Sequence, residues 1–503
     1  MINRLLNLAQ RKPRAPFVLY QDDVWDFGTV GDLALRGCNW MAALGIEAGD
    51  RVVIAVGNRP LFLFYWFSLA ARGAVAVPVA HDLFGDSLRY VVEQSGAKQL
   101  LAEYEECARI SDELSDLAIG VHALRDEADF VASVAHFPAA PTQSREDGVA
   151  VTILYTSGTT GLPKGAVIPN RSYLAIGEKI TEAIGIDADD RILTFLPLHH
   201  ANPQMYSVMS ALTVGCSIIL VPKFSASSFL DQVRRYGATG FTYVGTVLSI
   251  LEQSVRESVT GTSLRWCVGG GAPRAVWEAL ASRLGVRIHE LYGMTETGGM
   301  VTINSLNRSR VGSVGAVRND FDVVVLAADD SEVPTGTVGE IAVRPRLPHV
   351  MSSGYFNKPQ ETLDAIRNLW FHTGDLGRFD AEGFLNFEGR SKELIRRGGE
   401  MISPVEIELA ALKHPSIADC AAVGIADPIL EEEIKLVVVA RDKFDPQEIA
   451  SFLRRALPRN KVPRYIEFTD VIPKTPTQKI QRFKLTKLSP QSIDLRPASK
   501  LPD

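Results

Sequence analysis

An α/β fold, with a large N-terminal domain of layered α/β subdomains and a small α+β C-terminal domain, is predicted by three features of the chain. Between residues 50 and 350, short β-rich runs at 51–56, 74–79, 215–221, 240–244 and 265–268 alternate with helix-like segments. That alternation packs helices over mostly parallel sheets. From 302 to 343 the pattern changes to short strands with turns at Asp329-Asp330 and Thr335-Gly336-Thr337, which predicts a β-rich subdomain. After Gly389-Arg390 the composition becomes more charged, and the order helix 406–412, strand 417–423, strand 434–439, helix 446–456 predicts a compact α+β unit. The expected domains are 1–390 and 391–488, followed by a loose tail at 489–503 that carries three prolines and little periodicity.

A chain of 503 residues, 46% hydrophobic and 22% charged, has the composition of a globular enzyme rather than a disordered protein. The net charge of −6 is small for this length. It gives no support to a nucleic-acid surface, which needs a clustered basic excess. Cys38, Cys107, Cys216, Cys267 and Cys420 stand singly, without metal-ligand spacing. An odd, scattered set predicts reduced thiols and a cytoplasmic protein. The first twelve residues form an amphipathic pattern without an apolar core or a small-residue cleavage site, so they are not read as a secretory signal. The most apolar stretch, 61–80, is broken by Arg72-Gly73 and Pro78 and reads as a buried helix, a glycine stop and a strand. No membrane span is expected.

The apolar run 149–154 reads as a buried strand. It delivers Tyr155-Thr156-Ser157-Gly158-Thr159-Thr160-Gly161-Leu162-Pro163-Lys164-Gly165, a loop dense in hydroxyls and glycines with one lysine. Glycines let backbone N–H groups turn toward an anion, hydroxyls donate further hydrogen bonds and the lysine neutralises charge, so the loop suits a triphosphate. The common nucleotide loop G-x-x-x-x-G-K-[ST] does not fit, because Pro163 stands where its second glycine belongs. A different ATP chemistry is needed.

Four more strings follow in order: Tyr292-Gly293-Met294-Thr295-Glu296-Thr297, Trp370-Phe371-His372-Thr373-Gly374-Asp375-Leu376-Gly377, Gly389-Arg390-Ser391-Lys392-Glu393-Leu394-Ile395, and Pro473-Lys474-Thr475-Pro476-Thr477-Gln478-Lys479-Ile480. Together with the hydroxyl-rich loop they resemble the adenylate-forming superfamily of acyl-CoA synthetases, peptide-synthetase adenylation domains and luciferases, over nearly the whole chain. The resemblance implies that a carboxylate attacks the α-phosphate of ATP, pyrophosphate leaves, and the acyl adenylate then meets a thiol. It implies ATP, Mg²⁺ and CoA as the small-molecule requirements. The difficulty in the first step is to bring a carboxylate against a polyanion, so the site must supply cations and oriented donors.

Carried over residue by residue, Thr156, Ser157, Gly158, Thr159, Thr160, Gly161 and Lys164 resemble the loop over the β- and γ-phosphates. Thr295 resembles the α-phosphate donor. Glu296 resembles the Mg²⁺ ligand, a hard carboxylate for a hard cation. Gly270, Gly271, Ala272 and Pro273 resemble the backbone strip beside adenine, with Tyr292 and Gly293 completing the nucleotide site. Asp375 suits both ribose hydroxyls, since a carboxylate accepts two hydrogen bonds side by side, and Arg390 resembles its companion. Lys479 resembles the lysine that catalyses adenylation, although Gln478 stands where the family has glycine. Lys392 falls at the family hinge, about which the mobile C-terminal domain presents Lys479 and then Gly398-Gly399, the passage for the CoA arm.

The acid pocket is implied around His200, Val244, Gly269 and Met294, with His200 at the position of the gating histidine. Asn202 and Gln204 would place amides near it, and Gly298-Gly299 would remove bulk, which suits a small or medium polar acid. His199 and His200 are not expected to share a metal, because adjacent side chains diverge. Locally, His199-His200-Ala201-Asn202 and Arg396-Arg397-Gly398-Gly399-Glu400 are similar to crotonobetaine/carnitine-CoA ligases. Arg396 and Arg397 could meet CoA phosphates or form a solvated basic face. The leading expectation is an acid:CoA ligase releasing AMP and pyrophosphate. The alternatives transfer the acyl group to a carrier-protein thiol or an amine, including activation of an oxyacid such as nitrite, or retain nucleotide binding with degenerate catalysis. A homodimer is compatible with the resemblance.

Overall fold

The computed structural model describes residues 1–141, 146–156, 162–390, 393–397, 400–441, 445–474 and 480–495. The chain divides into two compact units, the larger comprising Met1–Val324, Ala342–Phe371 and Ala381–Asn386, and the smaller comprising Val325–Ile341, His372–Asp380 and the described part of Phe387–Asp503.

In the larger unit, six strands run parallel in the order Arg287–Met294, Trp266–Gly270, Gly240–Val244, Arg191–Thr194, Ser217–Leu220, Pro16–Tyr20. Antiparallel strands Gly299–Ile303 and Ala316–Val317 extend one edge, and Asp23–Asp26 the other. A second sheet has the order Gly120–Leu124, Gln99–Glu103, Arg51–Ala55, Val75–Val79, Ala150–Thr156, Lys164–Pro169, parallel except for its last pair. Its central strands are continuously buried, as strands covered on both faces must be. The expected alternation of strands and helices is therefore present. The sheets are mixed at the edges that carry the hairpins.

The 61–80 stretch folds as expected. Helix Pro60–Arg72 has proline at its start, buried side chains from Leu61 through Ala70, and Gly73 as a left-handed stop at φ 84° before strand Val75–Val79. A helix apolar all round requires protein on every side. It meets helix Asn170–Ile184 through an edge-on contact of Trp66 with Tyr173, and the Trp66 indole donates to Thr152 Oγ1 of the second sheet at 3.2 Å. That contact closes the core beneath strand Ala150–Thr156.

The β-rich segment contains strands Phe321–Leu326 and Gly339–Pro345, with both predicted turns in place: Asp330 at φ 63° and Gly336 at φ 88°. In the smaller unit a long antiparallel pair, Ile417–Asp427 with Glu431–Ala440, carries helices Pro404–Ala411 and Pro446–Ala456. Tyr465–Phe468 joins this sheet in parallel. Ile493–Asp494 pairs with Tyr465 and Ile466, and Leu495 is buried, so residues 489–495 are anchored. Among the described residues no helix is long and apolar enough to cross a membrane.

Candidate active site

Two hairpins of the larger unit supply the site. In the first, Ala150–Thr156 pairs with Lys164–Pro169 so that Thr156 stands opposite Lys164. The hydroxyl-rich segment thus lies in sequence between two paired antiparallel strands, rather than between a strand and a helix. Ser157, Gly158, Thr159, Thr160 and Gly161 lie outside the described residues; Thr156 and Lys164 are its described stems. Tyr90 of helix Gly85–Ser95 donates to Pro163 O at 2.9 Å, and Tyr155 donates to Gln94 Oε1, so the base of the hairpin is held from one side.

In the second hairpin, Arg287–Met294 pairs with Gly299–Ile303 through a bulge between Tyr292 and Gly293. Thr295 and Glu296 sit in the tight turn between them, with Gly298 N–H donating to Thr295 O at 3.1 Å. Gly298 has φ +68°, and a Cβ there would lie 2.2 Å from Ser172 Oγ and 2.5 Å from Val350 O. This glycine thus has two reasons: a left-handed backbone and no room. Gly298→Ala should lower the unfolding free energy by about 2–4 kcal/mol, the combined scale of left-handed strain and overpacking. Urea unfolding of the two proteins measures it.

The stem of the first hairpin meets the turn of the second at Glu296. The residue is only 6% exposed. Oε1 accepts from Thr156 Oγ1 at 3.1 Å and from Tyr355 OH at 3.0 Å, while Oε2 makes no hydrogen bond among the described residues. Tyr355 belongs to a segment laced between the hairpins: Ser352 N–H donates to Glu296 O at 2.9 Å, and Phe356 N–H donates to Gly165 O at 2.8 Å. The Tyr355 ring also lies under the Lys164 ammonium, 4.9 Å from Nζ to centroid. Burial beside the Glu296 carboxylate pushes the Tyr355 hydroxyl far above the usual phenol range, so it stays a donor. Sequence reading missed Tyr355. Its signal is only Gly354-Tyr355 ahead of Pro359, and nothing local shows that the ring reaches Glu296.

The strip Gly270, Gly271, Ala272, Pro273 leaves the end of strand Trp266–Gly270, and Pro273 caps helix Arg274–Leu284. Gly271 takes φ +93°, and a Cβ on Gly245 would lie 1.9 Å from Gly271 O, so both glycines are needed for this approach. Glu290, another residue missed from sequence, holds the strip from behind. Its carboxyl accepts from Gly271 N–H at 2.5 Å, from Ala272 N–H at 3.1 Å and from Tyr243 OH at 2.6 Å. Burial pushes Glu290 up to about 8, against the pull of those donors. Tyr292, two residues further along the same strand, is also buried.

The implied acid pocket needs two corrections. Gln204 presents no amide to a ligand: it is fully buried, accepts from Tyr173 OH and donates to Leu198 O at 2.7 Å. The His199 and His200 rings do not diverge. They follow a turn rather than a strand and lie 4.0 Å apart, yet no metal-holding cluster occurs among the described residues. His200 is half-buried there. Asn202 Nδ2 donates to Tyr243 O at 3.1 Å, and its buried Oδ1, like Ser172 Oγ, has no hydrogen-bond partner among the described residues.

In the smaller unit Asp375 and Arg390 come together, as expected, with Arg390 Nε 3.3 Å from Asp375 Oδ1 and Asp375 only 5% exposed. The turn carrying Asp375 is held by Glu340, whose carboxylate accepts from Gly374 N–H at 3.0 Å and lies 2.9 Å from His372 Nδ1. Arg397 is committed to Glu433 at 2.8 Å and to Asn460 O at 2.8 Å, so of the two arginines only Arg396 keeps an exposed side chain. Lys392, Gly398, Gly399 and Lys479 lie outside the described residues. Flanking the last, Lys474 and Ile480 form an antiparallel bridge, and Arg482 is fixed by Glu408, Glu393 and Ala422 O.

The sequence pattern of the AMP-binding enzyme family matches residues 6–356, and that of the AMP-binding enzyme C-terminal domain matches 406–479. The chain belongs to the AMP-binding enzyme family. Among its relatives, a sulfoacetate–CoA ligase of Cupriavidus necator is 31% identical over 491 residues, covering 95% of each chain. A crotonobetaine/carnitine–CoA ligase of Salmonella paratyphi C is 30% identical over 483 residues, covering 92% of this chain and 93% of the other. ATP-bound MatB from Rhodopseudomonas palustris superposes with a TM-score of 0.88 at 26% identity, covering 96% of this chain and 98% of that one. The o-succinylbenzoate CoA synthetase of Bacillus subtilis, in complex with its acyl-adenylate intermediate, gives 0.87 at 25% identity, covering 97% and 98%.

The pH dependence of the buried residues behind the strip is testable. His289 is 1% exposed with Nδ1 2.6 Å from Asn304 O, and burial lowers it to about 4. Between about pH 6.5 and 4 the unfolded chain takes up a proton that the folded chain refuses, so this histidine destabilises the fold as pH falls. Glu290 acts oppositely, because the fold keeps its proton up to about pH 8 and so gains stability as pH falls. Comparison with His289→Asn isolates the first effect: the parent should lose roughly 2 kcal/mol more than the variant between pH 7 and pH 5. Urea unfolding at the two pH values reads the difference.

Proposed function

We infer that this chain is an AMP-forming acid:CoA ligase that uses ATP and CoA. The observation that carries the reading is the Glu296 carboxylate, buried at the meeting of two hairpins with one oxygen held by Thr156 and Tyr355 and the other without a hydrogen bond. A buried carboxylate in this state suits a divalent cation, and Mg²⁺ characteristically takes only one or two carboxylates alongside substrate phosphates and water. Glu296 would hold Mg²⁺ there, and the ion would supply charge neutralisation to the phosphates.

The remaining roles belong to the chain. Thr156, Lys164 and residues 157–161 hold the β- and γ-phosphates. Thr295 donates to the α-phosphate, and the strip 270–273 with Tyr292 and Gly293 receives adenine. Asp375, paired with Arg390, accepts from the ribose hydroxyls. The acid's carboxylate oxygen bonds to the α-phosphorus as the bond to pyrophosphate breaks, and Lys479 stabilises the charge that develops. The CoA sulfur then bonds to the acyl carbon and AMP leaves, with Gly398-Gly399 lining the approach of the thiol arm after a swing about Lys392. His200 stands at the mouth of the acid site.

A small polar acid fits best. Sulfoacetate and carnitine, which name the relatives' reactions, are of that kind, and the unpartnered Asn202 Oδ1 favours a substrate bearing a hydrogen-bond donor. Five free cysteines suit a reducing compartment, and we place the enzyme in the cytoplasm.

Pyrophosphate release measured against small acids, including sulfonated, carnitine-like, aryl and short-chain acids and nitrite, with and without CoA, tests the reading. Acid-dependent release with a CoA thioester product is expected. Release with no thioester would move the acceptor to a carrier thiol or an amine. Lys479→Ala should abolish adenylate formation while sparing thioester formation from supplied acyl adenylate, and Lys392→Pro should slow the second step more than the first. Equal loss of both steps in either variant would contradict the division of labour.

A further inference from the structure

Tyr355 touches both the candidate metal ligand, through its hydroxyl, and the ammonium of Lys164 in the phosphate hairpin, through its ring. Its hydroxyl lies 3.0 Å from Glu296 Oε1, and its ring lies 4.9 Å from Lys164 Nζ. Its backbone is fixed independently: Tyr355 bridges Ala166 of the hairpin strand, and its N–H donates to Thr362 Oγ1 at 2.9 Å. The ring is therefore placed by main-chain pairing, and the two polar contacts follow from that placement.

A carboxylate free to rotate presents either oxygen, or both, to a cation. With Oε1 engaged by two hydroxyls, only Oε2 is left without a hydrogen bond among the described residues. Thr156 supplies one of these hydroxyls from the hairpin stem next to residues 157–161. Tyr355 supplies the other from the laced segment 352–356.

We propose that Tyr355 is a positioning residue for the ATP half-reaction: its hydroxyl orients Glu296 so that Oε2 faces the divalent cation, and its ring face seats Lys164 beside the phosphate hairpin. The inference rests on the ligase reading for the identity of the phosphate ligand. It does not rest on that reading for the geometry. Substitution by phenylalanine removes the hydroxyl and keeps the ring, whereas leucine removes both, so the two roles separate.

The test uses Mn²⁺ as a paramagnetic stand-in, with electron paramagnetic resonance reporting its binding to the full-length enzyme and a non-hydrolysable ATP analogue. Tyr355→Phe should weaken Mn²⁺ binding roughly tenfold, the scale of one hydrogen bond to a charged group. It should raise by a similar factor the Mg²⁺ concentration for half-maximal pyrophosphate release, leaving KM for acid and CoA unchanged. Tyr355→Leu should in addition raise KM for ATP about threefold through loss of the cation–ring contact. Mn²⁺ binding by Tyr355→Phe equal to that of the parent overturns the proposal. So does a parallel shift of every KM together with the urea midpoint, which would mark a structural role alone. If the parent enzyme shows no acid-dependent pyrophosphate release, the ligase reading fails, while the Mn²⁺ comparison still decides the role of Tyr355.

Discussion

A buried carboxylate must either be neutralised or find donors, and the placement of Glu296 depends on how that requirement is met. Thr156 comes from one hairpin, Tyr355 from the segment laced onto it, and Glu296 from the turn of the other hairpin. None of the three elements could shift alone without leaving a polar group unsatisfied in a closed environment, at a cost of about 1–3 kcal/mol for each such group. The same contacts that stabilise the meeting point leave one oxygen of Glu296 without a hydrogen bond. On the proposed reading, stability and readiness for a cation arise from one arrangement.

The sheets explain why this arrangement holds. Strand Ala150–Thr156 is backed by helix Pro60–Arg72 through the Trp66–Thr152 hydrogen bond, and strand Arg287–Met294 lies at the end of the parallel array. Each delivers its tip at the carboxyl end of a strand, where α/β folds gather ligand sites. Glu290 extends the same economy one strand inward. Its single carboxyl collects two loop N–H groups and the Tyr243 hydroxyl, fixing the glycine strip without any cation.

Much of this was legible in the sequence, and the limits have physical causes. The buried helix, glycine stop and strand at 60–79 follow from unbroken apolarity, a left-handed glycine and β-branched residues, which are all local signals. The turns at Asp330 and Gly336 are likewise local. The pairing of Asp375 with Arg390 was reached through motif resemblance and is present. Tyr355 and Glu290 were not reached, because their partners lie 59 and 47 residues away, respectively, in chain order and are set by tertiary packing. Gln204 misled for the opposite reason. An amide that looks available in sequence is consumed by Tyr173 and Leu198 once the core forms. For the two histidines only the reason fails: neighbouring side chains diverge in regular elements, whereas residues 199 and 200 occupy a turn that brings their rings together.

The geometry proposed for this site activates a carboxylic acid as its adenylate before any thiol is involved. Exchange of labelled pyrophosphate into ATP, measured in the absence of CoA and in the presence of a turned-over acid, tests that claim directly, because exchange requires a reversible adenylation step. Exchange that depends on both the acid and Mg²⁺ and that disappears in Glu296→Ala is expected. Thioester formation without any acid-dependent exchange would contradict it, since the acid would then reach CoA by a route that bypasses the adenylate.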